Sequence, residues 1–559
     1  MPRLSPWLAS WRPYALLGAL CLALYTPGIT AIPVLDRDEA RFAQATRQML
    51  ETGDFLHIRF QNEPRNQKPA GIYWLQAAAV RAFSTPEANA IWPYRLPSLL
   101  GAGLAAMLTF GFGRAVLRES GEPDEVATPT AVIGAVLLAC AIGTMAEAHI
   151  AKTDAALLAA IVAAQGALGV AYVRSSFGKS VGLGTVAVFW LAEIGAIFLK
   201  GPLAPALAIV TAATLSIADR DVRWLRGLRP IAGLIVTVLV VAPWLYGIQR
   251  ATEGRFLADS LGHDFLSKLV GAQESHGAPP FYFLLLAMIT FWPGSLLLAP
   301  ALIQSWQRHE HVVVRFLLAW IVPAWVVLEL IPTKLPHYVL PLYPALALLV
   351  AGALMTQPSP AQPAWTWWTR RIVEVLWIGV TLAIAVALIV LPLRFGEGFS
   401  IAGLAGAGAL VALMVVLMWR RPGAAGTTAI MAAMALALTI PATLWVIPGL
   451  DRLWLSREAA AAVDRYGLPG GAPLVALGYD EPSLVFLLGG RVEPAMMPAA
   501  AAALSGGGEA LVTGREDAQF QQGLRARGLV AQTLATIRGT DYSNGQRMVL
   551  TLYRVGPKQ

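Results

Sequence analysis

Apolar runs of about 18 to 22 residues recur along this chain from Trp11 to Ile447, each long enough to cross a hydrocarbon core of about 30 Å. This repetition constrains the fold more than any motif does. Backbone amides inside a bilayer must find their partners within the segment, and a run of this length does so as a helix. Spans are read near 14–32, 94–113, 129–148, 155–173, 182–199, 202–218, 231–248, 281–303, 313–331, 338–355, 372–392, 400–419 and 426–447. The expected fold is therefore an α-helical polytopic membrane protein of about 13 transmembrane helices. Composition points the same way: 56% of the 559 residues are hydrophobic and 14% are charged, where ordinary soluble domains carry about 25% charge. Loop cations account for the net charge of +8, and nothing calls for a nucleic-acid partner. Cys21 and Cys140 both lie inside apolar runs, which leaves neither a disulfide framework nor a thiolate metal site. The first run has no small-residue cleavage site and leads directly into charged sequence, so it reads as a retained span.

Cations alternate with the spans. With the N-terminus cytoplasmic, the inner loops carry Arg3 and Arg12, Arg114 and Arg118, Arg174 and Lys179, the arginines at 220, 223, 226 and 229, Arg308 and Arg315, Arg370 and Arg371, and Arg420 and Arg421. This is the positive-inside pattern, and it fixes the orientation. The outer side then receives residues 33–93, residues 249–280 and everything after about 450. In the first of these, Phe42, Ala45, Met49 and Leu50 share one face of a segment beginning at Asp36, which predicts an amphipathic helix on the membrane surface. Pro69 predicts a second helix opening just after Lys68. Residues 1–450 form the membrane domain. Residues 451–559 read as a small α/β domain, with strands at 474–477, 511–513 and 548–555, helices at 457–466, 482–488 and 516–527, and a loop over 494–508.

The charges at span ends gather on one side. Asp36, Asp38, Glu39, Lys68, Asp154, Lys200 and Lys334 all fall at the outer ends of spans or in the first outer loop. Carboxylates and ammonium groups delivered to one membrane face suit chemistry on a lipid phosphate, where cations hold the phosphate and a carboxylate takes a proton. Each also has a structural reading. Asp36 with Glu39 resembles a helix capping box, and a lysine at a span end is commonly an interfacial anchor. His263, His276 and His337 are metal candidates from the outer loops, but without a ligand spacing such as HxxxH. Glu193 lies within a span and has no evident partner.

The segments DRDEARFAQATRQMLETGDF, NQKPAGIYW, FLKGPLA and KLPHYVLPLYPALALL, in this order, resemble the aminoarabinose lipid A transferases. These are polyprenyl-phosphate-dependent glycosyltransferases of the C-type (GT-C) fold, more distantly similar to protein O-mannosyltransferases. The resemblance runs from about Leu35 to Leu349. It implies that Asp36 is the catalytic or nucleophile-orienting carboxylate and Asp154 the second acidic residue, and that Lys68, Lys200 and Tyr338 bind the donor phosphate. Glu39, Arg41, Lys334 and Lys268 are secondary candidates. Where the lipid A enzymes have an acidic residue before the Lys-Pro pair this chain has Gln67, which removes a ligand of the metal seen in that family; no metal or other cofactor is required by this reading.

The expected function is transfer of a sugar, with inversion, from a polyprenyl-phosphate donor to lipid A or to another lipid, glycan or protein acceptor. The expected place is the periplasmic face of a bacterial inner membrane. A protein O-mannosyltransferase-like activity is the neighbouring alternative. A transporter or flippase of lipid-linked sugars is the competing class, and it calls for mid-membrane ionisable groups or paired broken spans.

Overall fold

The computed structural model describes residues 11–260, 262, 279–356, 364–468, 473–497 and 499–557. A short apolar helix, α1 (Arg12–Tyr25), precedes an excursion that carries α2 (Asp38–Thr52), a two-residue hairpin of β1 (Arg59–Phe60) and β2 (Glu63–Pro64), and α3 (Gly71–Phe83). The chain returns through α4 (Trp92–Glu119), α5 (Asp124–Cys140), α6 (Ile142–Ala148) and α7 (Asp154–Ser176). Then come α8 (Leu183–Lys200), α9 (Leu203–Asp219) and α10 (Pro230–Ala251). The later bundle consists of α11 (Tyr282–Thr290), α12 (Leu298–Gln307), α13 (Val312–Leu330), α14 (Tyr343–Met355), α15 (Ala364–Phe395), α16 (Ile401–Arg420) and α17 (Ala424–Pro441).

Among the described residues nine helices are long and apolar enough to cross a membrane, or ten with α5 and α6 counted as one bent span. Three expected spans differ in form. The one near 129–148 bends by 61° between α5 and α6, where the Ile142 N–H leaves the helical ladder and donates to the Trp292 carbonyl at 3.1 Å. The one near 281–303 divides into α11 and α12, because Pro293 cannot continue a helix. The one near 14–32 is helical only to Tyr25, and Pro27 and Gly28 follow. Helix α7 is the bundle's axis: 89% of its most apolar stretch is buried, against 11% for α10, whose apolar sides are exposed.

The chain then folds into α18 (Leu455–Tyr466), β3 (Leu474–Leu477), α19 (Pro482–Leu487), β4 (Val492–Pro494), β5 (Gly508–Thr513), α20 (Asp517–Arg525), β6 (Leu529–Asp541) and β7 (Gln546–Pro557). The sheet order is β4-β3-β5-β7-β6, parallel over the first three strands and antiparallel thereafter. Strands β4 and β6 were not expected from sequence. The predicted loop over 494–508 holds a short helix, Ala499–Ala503, in keeping with alanine's helix preference. This domain rests on the first excursion. Arg47 of α2 donates to the Phe486 carbonyl at 3.3 Å, Gln61 donates to the Val492 carbonyl at 2.6 Å, and Phe486 meets the Tyr94 ring edge-on at 5.4 Å. Helix α2 is thus clasped between α3 and α19 instead of lying open on a membrane surface, as its amphipathic pattern had suggested.

Candidate active site

The site is built where α7 begins and α8 ends. Gly201 adopts φ +68°, a region that favours glycine, and so stops α8 immediately after Lys200; Pro202 then opens the turn into α9. Helix α3 comes so close to this end that a Cβ on Gly71 would lie 2.6 Å from the Phe198 carbonyl oxygen. That approach carries Lys68, three residues earlier, to the same cleft as Lys200. The cleft is about 970 Å³. Gln67, Lys68, Asp154, Lys200, His337 and Tyr338 give it polar walls, while Leu157, Leu203, Leu328 and Ile331 give it apolar ones.

Asp154, the first residue of α7, anchors the polar side. It accepts from the Lys200 ammonium at 2.5 Å, lies 3.5 Å from the Lys152 ammonium, and has His337 Nε2 at 3.8 Å. Lys152 in turn pairs with Glu147 at 2.9 Å and stands 3.4 Å from His337 Nδ1. All these side chains are nearly buried. Burial works against the Lys152 ammonium, but Glu147 and Asp154 outweigh it, with Asp38 adding to the same effect, and hold the group protonated above the ordinary lysine range. The arrangement is a set of fixed cations, each balanced by a carboxylate, at the mouth of an apolar groove. Such a set is suited to receive an anion whose charge grows during bond breaking.

Glu39 is structural. Its carboxylate takes two hydrogen bonds from the Arg95 guanidinium, both at 2.8 Å, one from the Ala151 N–H at 2.8 Å and one from the Leu35 N–H at 2.9 Å, and both side chains are fully buried. Arg95 spends its remaining donors on the carbonyls of Ile29, Ile32 and Pro33. The pair ties the first excursion to α4 and to the turn before α7, next to Lys152.

Asp36 is placed differently from the sequence expectation. It lines a separate cavity with Trp454, Ser456 and Ser483 of the C-terminal domain, and not the cleft of Lys68 and Lys200. Its carboxylate accepts from the Ser483 N–H at 3.3 Å, and its own N–H donates to the Tyr542 hydroxyl at 2.6 Å. Burial, and after it the neighbouring Glu481, push Asp36 up to about 7. The capping-box reading also gives way, since α2 starts at Asp38 after Arg37, without a side-chain cap from Asp36. The physical reason is tertiary: a domain more than 400 residues downstream takes Asp36 as its docking point. Asp38, two residues on, stays exposed in the first turn of α2, and its charge reaches Lys152.

Of the other candidates, Tyr338 and His337 line the cleft, Lys334 is buried in the turn before them, and Arg41 is half-buried one turn into α2. His263, Lys268 and His276 lie outside the described residues. Sequence reasoning gave no role to Glu147 or Lys152, and counted Asp38 only among the outer-face charges. The signal was present in AEAHIAKTD, where Glu147, His149, Lys152 and Asp154 crowd a segment between two apolar helices. Gln67 gives the cleft an amide, and among the described residues no three His, Cys, Asp or Glu side chains converge on one point. Glu193 of α8 is buried, and among the described residues neither of its carboxylate oxygens has a hydrogen-bond partner.

This fold, a helical bundle with a two-helix first excursion and a domain packed on that excursion, is shared with solved membrane proteins. The crystal structure of ArnT from Cupriavidus metallidurans in the apo state matches with a TM-score of 0.72 at 18% identity, covering 96% of this chain and 97% of that one. The structure of the same protein bound to undecaprenyl phosphate matches with a TM-score of 0.71 at 18% identity over the same shares. In sequence, the chain is similar to the undecaprenyl phosphate-alpha-4-amino-4-deoxy-L-arabinose arabinosyl transferase of Pseudomonas paraeruginosa, 25% identical over 432 residues, or 73% of this chain and 71% of that protein. It is also similar to the enzyme of the same name from Serratia proteamaculans, 26% identical over 340 residues, which span 60% of this chain and 58% of that protein. No protein-family model matches the chain.

Proposed function

We propose that this protein is an inner-membrane glycosyltransferase that moves a sugar from an undecaprenyl-type phosphate donor to lipid A or a closely similar acceptor, with inversion. One observation carries the reading most directly: Lys68 and Lys200 line one cleft with Tyr338, above walls of Leu203, Leu328 and Ile331 that suit a polyprenyl tail. The likeness to enzymes named for that donor supports it across most of the chain.

In this reading the donor phosphate displaces Asp154 from part of its hold on Lys200, and Lys68 and Lys200 bear the charge of the departing monoester. The acceptor oxygen attacks the anomeric carbon as the bond to the phosphate oxygen breaks. The acceptor proton passes to a carboxylate, and the polyprenyl phosphate leaves. We assign that carboxylate to Asp38 in place of Asp36, because Asp38 is exposed and its charge reaches Lys152, while Asp36 is engaged with Ser483 and Tyr542. Glu147, Lys152 and His337 position Asp154. The site lies at the outer face, with the N-terminus and the arginine-rich loops cytoplasmic, as the cation pattern supports.

The test is consumption of polyprenyl-phosphate sugar by purified protein in detergent, where no second compartment exists, together with mass spectrometry of lipid A from cells with and without the gene. Stoichiometric release of free polyprenyl phosphate and a gene-dependent mass increment are expected. An intact donor, or unchanged lipid A in cells that make the donor, would overturn the respective half of the proposal.

A further inference from the structure

A second cavity, of about 820 Å³, opens at the opposite end of the bundle from the Asp154 cleft. Helix α7 begins at the cleft and reaches the second cavity at Val162 and Gly166, the latter twelve residues or about 18 Å further along. The walls are apolar, with Phe112, Val162, Phe316 and Leu348 among them. The mouth is not. Glu122 in the α4–α5 turn, Arg308 just beyond α12 and His311 at the start of α13 stand around it. Burial and then Arg308 hold the His311 imidazole below its usual range, with Glu122 acting in the other direction, so the three groups are near neighbours.

Among the described residues, Trp320 is 2% exposed with no acceptor for its indole N–H, and His311 Nδ1 is buried with no hydrogen-bond partner. Side chains on a helix lean toward its N-terminus, so Trp320, on α13, leans toward the mouth. His311 and Trp320 are nine residues apart, about 13 Å along the helix. That depth suits a chain much better than a headgroup alone. The mouth is also mixed in sign: a purely anionic headgroup would meet the Glu122 carboxylate, and a neutral hydrocarbon would use neither charge.

We propose that this cavity holds an acyl chain of a zwitterionic glycerophospholipid, with its phosphate on Arg308, its ammonium on Glu122, and an ester oxygen on the Trp320 indole. The occupant differs from the sugar donor in class and in place. A polyprenyl-phosphate sugar has no glycerol ester to meet the Trp320 indole, and its proposed cleft is at the other end of α7.

The experiment uses delipidated full-length protein in detergent, offered equal amounts of dioleoyl phosphatidylethanolamine and dioleoyl phosphatidylglycerol, with bound lipid counted by native mass spectrometry. The wild type is expected to retain one phosphatidylethanolamine in preference to phosphatidylglycerol. Arg308→Ala should weaken retention about tenfold or more, as loss of a charge-assisted hydrogen bond does. Glu122→Gln should erase or reverse the preference, and Val314→Trp, which fills the cavity, should abolish retention. The first two positions are at the mouth, so their variants report even if the third fails to fold. Equal retention of the two lipids by the wild type, preference for phosphatidylglycerol, or retention unaffected by Arg308→Ala and Glu122→Gln would each overturn the proposal.

Discussion

Asp36 and Asp154 look alike in the sequence, each an acidic residue at the outer end of an apolar span, yet the fold gives them opposite surroundings. Asp154 sits among Lys152, Lys200 and His337, so its negative charge is matched. Asp36 sits in the joint between the first excursion and the C-terminal domain, beside Glu481, and its negative charge is opposed. The difference teaches where chemistry on an anion belongs. A cleft of balanced cations exchanges one anionic partner for another at small cost, whereas a joint of carboxylates and hydroxyls holds domains together. Asp38, two residues after Asp36, is exposed, and its charge is felt by Lys152 next to Asp154.

The largest test of that division is a pair of charge-removing substitutions two residues apart. Asp38→Asn is expected to reduce turnover by about 10²–10⁴-fold, the usual loss on removing a general base. Asp36→Asn is expected to leave turnover near wild type, measured with the same donor and acceptor. The reverse pattern would restore Asp36 as the catalytic group.

The next effect is on the fold. Glu39→Ala leaves Arg95 buried and unpaired, which should cost about 3–5 kcal/mol of stability. Thermal unfolding in detergent should show a large loss, with Glu39→Gln losing less because it keeps a hydrogen-bond acceptor. An unaffected melting curve would mean that the excursion is held elsewhere.

Smaller still is the loss expected for a single phosphate contact. Lys200→Ala and Lys68→Ala should each lower donor use by about 10- to 150-fold, the equivalent of one charge-assisted hydrogen bond of about 1.5–3 kcal/mol. Lys179→Ala, which breaks an ion pair with Glu119 at the other end of the bundle, should change turnover little.

A pH-dependent effect follows from the raised Asp36. A carboxyl raised to about 7 in the folded protein binds its proton more tightly there than in the unfolded chain, so stability falls as pH rises from the ordinary carboxylate range to about 7. Asp36→Asn removes that cost. The variant should therefore melt higher than wild type at pH 8, and the advantage should shrink toward pH 4. A difference that grows on acidification would contradict the opposed-charge description.

How far the sequence could be read depends on which residues are considered. Lys200 was legible because a lone cation ends an apolar run just before Gly-Pro, and Lys68 because it precedes a proline that opens a helix. Both signals are local. The break at Ala141 was not legible, because it depends on the Trp292 carbonyl arriving from the turn between α11 and α12, and with it Glu147 was hidden in what read as one continuous span. Asp36 was misplaced for the same kind of reason: Ser483 and Tyr542 reach it from a distant domain. Strand β6 escaped notice because most of its residues are polar or partly exposed, so the alternation that marks a half-buried strand is weak.

The account rests most heavily on the lipid phosphate entering the cleft of Lys68 and Lys200. Direct binding of polyprenyl monophosphate to purified protein, followed by isothermal titration in detergent, tests this without any acceptor or turnover. The account predicts that wild type and Asp36→Asn bind alike, and that a Lys68→Ala, Lys200→Ala double variant of unchanged melting temperature loses binding. Equal binding by all three proteins would contradict it.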